Sequence, residues 1–365
     1  MKNKSVIVVF LLILCSLSIV NLLLPDKAVS ESERRRLAQR PELSAEQLLS
    51  GKAMTAFDKY AMDQFVGREF FRGIKVLTEQ HILGKSDTNG LFEASGGIYK
   101  IEYPLNEEKV KTLCEKLTAL CARYFTEQRV YYAIVPDKNY YLPGDGKYLL
   151  MDYPKLTALM AEHMPKNAQY INLFGTLTTA NYYKSDGHWR QETLQPVIGR
   201  LYEAMDIPVA VDLSQYAVHG YTPFYGAYYG QLVGMAPPDT LYWLESEEIA
   251  NTAVHALGNG GMAQVPVYFE DGLSGMDAYD LFLHGAQPLL VLENKRDTSG
   301  RELIIFRDSF GSSLAPLLLP GYAKITLVDL RYITRELLGD YIDFEKQDIL
   351  FLYSTTIINN SDIIR

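Results

Sequence analysis

Ile304-Ile-Phe-Arg-Asp-Ser-Phe-Gly311 decides how the chain is read. A short apolar run bounded by turn residues reads as a buried strand, here Leu303–Phe306. The residues from Gly311 to Leu319 read as the helix that follows. A serine at such a turn is exposed at the carboxyl edge of a sheet, where open α/β folds bind ligands. The start of a helix also offers free backbone N–H groups to a developing oxyanion. Ser309 therefore reads as a nucleophile, provided that a base stands nearby to take its proton. The competing reading is that Asp308 and Ser309 only cap the helix.

The same rhythm spreads outward from this turn. Strands are expected at Val130–Val135, 168–173, Pro288–Leu292, Lys324–Val328 and Ile349–Tyr353. Asn106 can cap a helix that carries Val110, Leu113, Cys114, Leu117, Leu120, Cys121 and Tyr124 at helical spacing. Further helices are expected at 153–164, at Leu194–Met205 with a kink at Pro196, and near 311–319 and 332–341. Apolar strands alternating with helices imply a mainly parallel sheet covered on both faces. Residues 207–286 break the pattern and are rich in Tyr, Gly and Pro, so they read as a lid or binding loop.

The second polar stretch is Tyr182-Tyr-Lys-Ser-Asp-Gly-His-Trp189. In an extended segment residues i and i+2 point the same way. Asp186 could then hold one ring nitrogen of His188 and leave the other for Ser309, which supplies the parts of a Ser-His-Asp acyl-transfer site. The alternative is a surface loop whose aspartate caps the next helix. Trp189 could wall the pocket, and Lys138 or Asn139, after the strand Val130–Val135, would emerge at the same sheet edge. Tyr225 and Tyr228, in the tyrosine-rich run 221–229, could stack on sugar rings. No third ligand accompanies Asp186 and His188, so no metal is expected.

Length and composition set the frame. At 365 residues the chain can bury a large core. A formal charge of −9 argues against nucleic acid as a partner. Cys114 and Cys121 lie on one helix face but about 10 Å apart along its axis, too far for a disulfide. Residues 6–24 are almost unbroken apolar sequence behind Lys2 and Lys4, long enough to span a bilayer. They read as an uncleaved anchor with the rest of the chain exported, although Arg34, Arg35 and Arg36 weaken the charge asymmetry. The expected organisation is an anchor at 1–29, a stalk and helical segment at 30–97, and an α/β domain at 98–365 that carries the lid-like insertion 207–286.

Lys184-Ser-Asp-Gly-His-Trp189 resembles the signature of the DHHW protein family, which is related to the SGNH-hydrolase-like domains of the alginate acetylation proteins AlgJ and AlgX. Further blocks resemble that family in the same order: Glu33–Pro41, Asp63-Gln-Phe-Val-Gly-Arg68, Val135-Pro-Asp-Lys138, Ala278–Pro288, Arg307-Asp-Ser-Phe-Gly311 and Val328–Tyr332. Two positions depart from the pattern. Gly187 replaces the first His of the signature, and Arg307 stands where simple SGNH hydrolases have Gly.

The resemblance implies an SGNH-hydrolase-like three-layer sandwich with Ser309, His188 and Asp186 as triad, and Lys138, Asn139, Trp189, Arg307, Tyr225 and Tyr228 around the substrate. The implied activity is O-acetyl transfer to an exported or cell-wall polysaccharide at the cell membrane, through an acyl-serine and without a cofactor. A membrane-bound O-acyltransferase partner would bring acetyl groups across the membrane. An acetylesterase, or a non-catalytic polysaccharide-binding scaffold of a secretion complex, are the alternatives.

Overall fold

In the computed structural model, which describes residues 2–42, 44–144, 146–232, 236–258 and 260–365, eight strands form one sheet. They are β1 (Val130–Val135), β2 (Ala168–Ile171), β3 (Thr252–Gly258), β4 (Gly261–Val265), β5 (Leu289–Asn294), β6 (Glu302–Arg307), β7 (Lys324–Val328) and β8 (Asp348–Ser354). Their order is β4-β3-β5-β7-β6-β8-β1-β2. From β7 to β2 every pairing is parallel. β5, β3 and β4 extend that block with antiparallel pairings.

Alternation along the strands builds two cores, because successive side chains point to opposite faces. Tyr131, Ala133, Leu303, Ile305, Leu350 and Leu352 share one core with Val197, Ile198 and Leu201. Tyr132, Ile134, Ile304, Phe306, Ile349 and Phe351 share the other with Val110, Leu113, Leu117, Leu156 and Met160. The helices involved are α4 (Glu107–Tyr124) and α5 (Tyr153–His163) on one face and α6 (Gln195–Ala204) on the other. Among those that precede them are α1 (Lys2–Leu23), α2 (Lys52–Gln64) and α3 (Arg68–Leu77). Among the short ones that follow are α7 (Phe310–Leu314) and α8 (Thr355–Asn359). The Asn106 side chain caps α4 by accepting from Lys109 N–H. The fold is thus the expected α/β three-layer sandwich with a mainly parallel sheet.

Three expectations need correction. Pro196 sits in the first turn of α6, where its missing N–H costs nothing, so it does not kink the helix. The helix after Ser309 is α only to Leu314 and continues to Gly321 as a 3-10 segment containing Pro316 and Pro320, because proline cannot extend an α ladder. The insertion 207–286 is not irregular. Residues 233–235 and 259 lie outside the described residues, but the rest pairs Ala217–Phe224 with Asp239–Glu245 and supplies β3 and β4 to the main sheet. β4 gave no signal because it is a largely exposed strand with no alternation to read.

α1 is long and apolar enough to cross a membrane. An ion network ties the segment after it to α2 and α3. Arg35 holds Asp63 through two bonds of 2.9 and 2.6 Å and Glu33 through one of 2.7 Å. Arg68 and Arg72 both donate to Glu33. The charged residues of the first two matched blocks are therefore partners in one clamp. Cys114 and Cys121 are free and buried, and burial pushes both thiols up to about 12.

Candidate active site

β6 ends at Arg307, and Ser309 heads α7 at the carboxyl edge of the sheet. The bland reading of this turn divides between two residues. Asp308 does the capping: its Oδ1 accepts Phe310 N–H at 3.0 Å and its Oδ2 accepts Ser354 N–H at 2.8 Å. The Ser309 side chain makes no capping bond. Its Oγ lies 2.7 Å from His188 Nε2. Gly311 lets α7 start here, because a Cβ at that position would meet Arg307 Cβ at 2.7 Å.

His188 and Asp186 come from a tight loop closed by the bridge between Tyr182 and Trp189. They meet through a bend, not through the extended segment the sequence suggests. Asp186 Oδ1 accepts both His188 N–H at 2.9 Å and His188 Nδ1 at 2.6 Å. The imidazole stacks on Tyr279 with ring centroids 4.0 Å apart. Tyr279 is in turn fixed by a 2.9 Å bond from its hydroxyl to Ser313 Oγ. Hydroxyl, imidazole and carboxylate thus form one line from Ser309 to Asp186, the arrangement a base-activated serine needs.

Asp186 is 1 % exposed, and its other oxygen is also engaged. Oδ2 accepts Ala227 N–H at 2.7 Å and Arg34 Nη1 at 3.3 Å. Burial alone would raise this carboxyl. The charges of His188 and Arg34 and the bonds from His188 and Ala227 outweigh it and hold the group well below the usual carboxylate range. Arg34 also pairs with Asp277 and donates to Met276 O, so it bridges the Asp186 loop and the insertion. Nothing in the sequence singled out Arg34 or Tyr279 for this role, since both act across long stretches of chain. Arg34→Ala removes a charge-assisted bond of about 1.5–3 kcal/mol, so kcat is expected to fall about tenfold with KM little changed. Arg34→Lys should restore part of the loss, which a merely structural defect would not show. Kinetics on an acetyl ester measure both.

The cleft beside Ser309 has a volume of about 160 Å³ and is lined by Asp137, Lys138, Asn139, Asp186, His188, Tyr228 and the start of α8, among others. It lies at the ends of β1, β6 and β8, which are adjacent in the sheet. Phe310 and Gly311 N–H groups are taken by Asp308, so the Ser309 N–H is the amide of this turn best placed for an oxyanion.

The other proposed substrate contacts fare unequally. Lys138 does line the cleft, but its ammonium is spent on the chain itself. Nζ donates to Tyr183 O at 3.0 Å, Lys184 O at 3.2 Å and Asp186 O at 2.7 Å, and lies over the Tyr99 and Tyr228 rings. Burial pulls this group down to about 7, while Asp186, Asp239 and Asp137 favour its charged form, as the three carbonyls do. It is a post that holds the Asp186 loop. Lys138→Met takes the ammonium from three carbonyls, of which Lys184 O keeps the Ile98 N–H as donor, and is expected to cost about 2–4 kcal/mol, read as a lower urea midpoint. Asn139 is likewise committed, donating to Lys100 O at 2.6 Å.

Tyr228 lines the cleft, and its hydroxyl fills the space beside Gly187, where a Cβ would meet it at 2.5 Å. A side chain at 187 therefore requires Tyr228 to shift. Three expectations are corrected. Trp189 is fully buried in the core, with Nε1 donating to Ser313 Oγ at 2.9 Å, and walls no pocket. Arg307 is buried behind the strand end, 3.5 Å from Asp329, and does not line the cleft. Tyr225 packs on Tyr229 and lines grooves away from Ser309. All three sit in or near polar motifs, and the sequence cannot show which way a side chain turns there.

No protein-family model matches the chain, and no curated protein matches it. Solved structures do. A DHHW family protein from Eubacterium siraeum superposes with a TM-score of 0.63 at 19 % identity, over 76 % of this chain and 97 % of that one. PatB1 from Bacillus cereus, solved both alone and with a sulfonyl adduct, gives a TM-score of 0.59 at 16 % identity over 73 % of this chain. The matches cover 95 % and 96 % of the adduct-bearing and free PatB1 chains. The family resemblance read from the motifs is thus matched by a DHHW structure among the neighbours, and the chain shares its fold with that protein and with PatB1.

Proposed function

We propose that the protein is a membrane-anchored O-acetyltransferase that places acetyl groups on an exported or cell-wall polysaccharide through an acyl-serine. The observation that carries this reading is the unbroken line Ser309 Oγ, His188 Nε2, His188 Nδ1, Asp186 Oδ1, with bonds of 2.7 and 2.6 Å. In the first half, Ser309 Oγ attacks the acetyl carbonyl while His188 Nε2 takes its proton. The bond to the donor's oxygen breaks, and His188 gives that oxygen the proton. In the second half, His188 takes a proton from a sugar hydroxyl, whose oxygen attacks the acetyl-serine. Ser309 leaves and recovers its proton from His188. Asp186 stays ionised throughout, orients the ring and stabilises its cation.

The small cleft suits an acetyl group, with the acceptor at its mouth. The choice of a polysaccharide, of a membrane-bound O-acyltransferase as acetyl source, and of the outer side of the cell membrane is supported by the DHHW resemblance and by the apolar α1. An acetylesterase would use the same line with water as acceptor. An acetyl-ester assay with and without added oligosaccharide decides between them. Transfer to the sugar supports the proposal, and release to water alone, unchanged by the sugar, contradicts it. Because PatB1 carries a sulfonyl adduct, a sulfonyl fluoride is a natural second probe, with Ser309 the expected site of labelling.

A further inference from the structure

The helices that follow the anchor leave their apolar faces uncovered. α2 is 13 residues long and buries only Ala53 and Asp63, and α3 buries only Val76. Phe70, Ile74 and Leu77 form a stripe at helical spacing on α3, with Phe71 beside it. Phe57 on α2 and Ile82 just beyond α3 are exposed too, Phe70 at 66 % and Ile82 at 76 %. The opposite side of α3 is occupied, since Arg68 and Arg72 turn to Glu33. Helices this short do not persist in water without a covered apolar face, and soluble proteins seldom leave apolar patches of this kind uncovered.

The position of these helices identifies what covers them. The candidate membrane span runs Lys4–Leu23, and Asn21 lies in its last turn. Asn21 Oδ1 accepts the backbone N–H of Val66, at the junction of α2 and α3, at 2.7 Å. Tyr60 OH donates to Asp26 at 2.8 Å, and Lys27 N–H donates to Gln64 at 2.9 Å. The junction is therefore fastened level with the end of the span, where hydrocarbon gives way to headgroups. Aromatic and aliphatic side chains at that depth belong to an in-plane helix.

We infer that α2 and α3 lie on the bilayer as an interfacial platform, with the lipid acyl boundary covering Phe70, Phe71, Ile74, Leu77 and their neighbours. The inference does not depend on the acetyl-transfer reading. Its consequence does reach the cleft. The Glu33–Arg35 clamp joins the platform to the turn that carries Arg34, and Arg34 holds Asp186. The bilayer then fixes the height and tilt of the triad above the membrane.

The test uses the full chain reconstituted in vesicles of phosphatidylcholine with brominated acyl chains. The natural tryptophans, Trp189 and Trp243, are buried and set the background. Phe70→Trp adds a reporter on the stripe, Ile82→Trp is the second variant in case the first fails to fold, and Tyr332→Trp marks an exposed position elsewhere. The expected result is a blue-shifted signal from Trp at 70 or 82, quenched about twofold or more by brominated lipid relative to Trp at 332 and shielded from aqueous iodide. Free access to iodide with no lipid quenching overturns the inference. So does a blue shift that appears only at high protein density and without lipid quenching, which would assign the face to a second copy of the chain. Quenching that requires a co-reconstituted membrane protein overturns it as well.

Discussion

Ser309→Ala is expected to lower acetyl-ester turnover and sugar acetylation together, by about 10³-fold or more. The variant loses the hydroxyl proposed to carry the acyl group, while the cleft and the His188–Asp186 pair remain. Stability should hardly change, because among the described residues the Ser309 hydroxyl caps nothing and hydrogen-bonds only His188. That combination separates the catalytic reading from the capping one. A capping serine replaced by alanine costs about 1 kcal/mol of stability and has no reason to abolish chemistry. Equal thermal midpoints with activity gone support the account, and unchanged activity removes it.

Gly226→Ala is the second large effect, and it comes from sterics alone. A Cβ at Gly226 would meet Ser185 O at 2.4 Å and Asp186 Cβ at 2.5 Å, atoms that belong to the triad loop and its first side-chain carbon. Neither can swing aside as the end of a long side chain could. Gly226 N–H also donates to Ser185 Oγ at 3.1 Å, and the next residue, Ala227, donates to Asp186 Oδ2. The added methyl therefore pushes the loop from the carboxylate it supports. A displacement of about 1 Å in a catalytic group costs about 10²-fold, so kcat/KM is expected to fall by that order. Overpacking adds about 1–3 kcal/mol of instability. Gly199→Ala is the matched control, an exposed helical glycine with open space at its Cβ, and should be neutral or slightly stabilising. Equal kinetics for the two variants would show that the 226–227 loop does not hold the triad.

What could be read in advance followed from local chemistry. Short apolar runs marked β1, β5, β6, β7 and β8, because each is buried on both faces and flanked by turn residues. Asp186, His188 and Ser309 were legible because a carboxylate and an imidazole two residues apart, and a serine at a strand end, are informative residue types wherever they fold. β3 and β4 were not legible, since their place in the sheet is set by pairing, β3 with β5 and β4 with β3, and not by their own pattern. Lys138 lines the cleft as expected but is also held by carbonyls, while Trp189 and Arg307 do not line it, all for one common reason. Each was assigned to a site by its neighbours in sequence, while its side chain is turned inward to carbonyls, to Ser313 or to Asp329. Arg34 was invisible for the opposite reason, because a stalk residue acquires meaning only when it meets Asp186, 152 positions later.

The acyl-enzyme itself tests the central claim most directly. The full chain is mixed with an activated acetyl ester, quenched in acid before turnover is complete, digested and mapped by mass spectrometry. One acetyl group on Ser309, absent from Ser309→Ala and lost when an oligosaccharide acceptor is added before the quench, is the predicted result. Acetyl transfer that proceeds while Ser309 stays unmodified, or with the acetyl group on another side chain, would contradict the account.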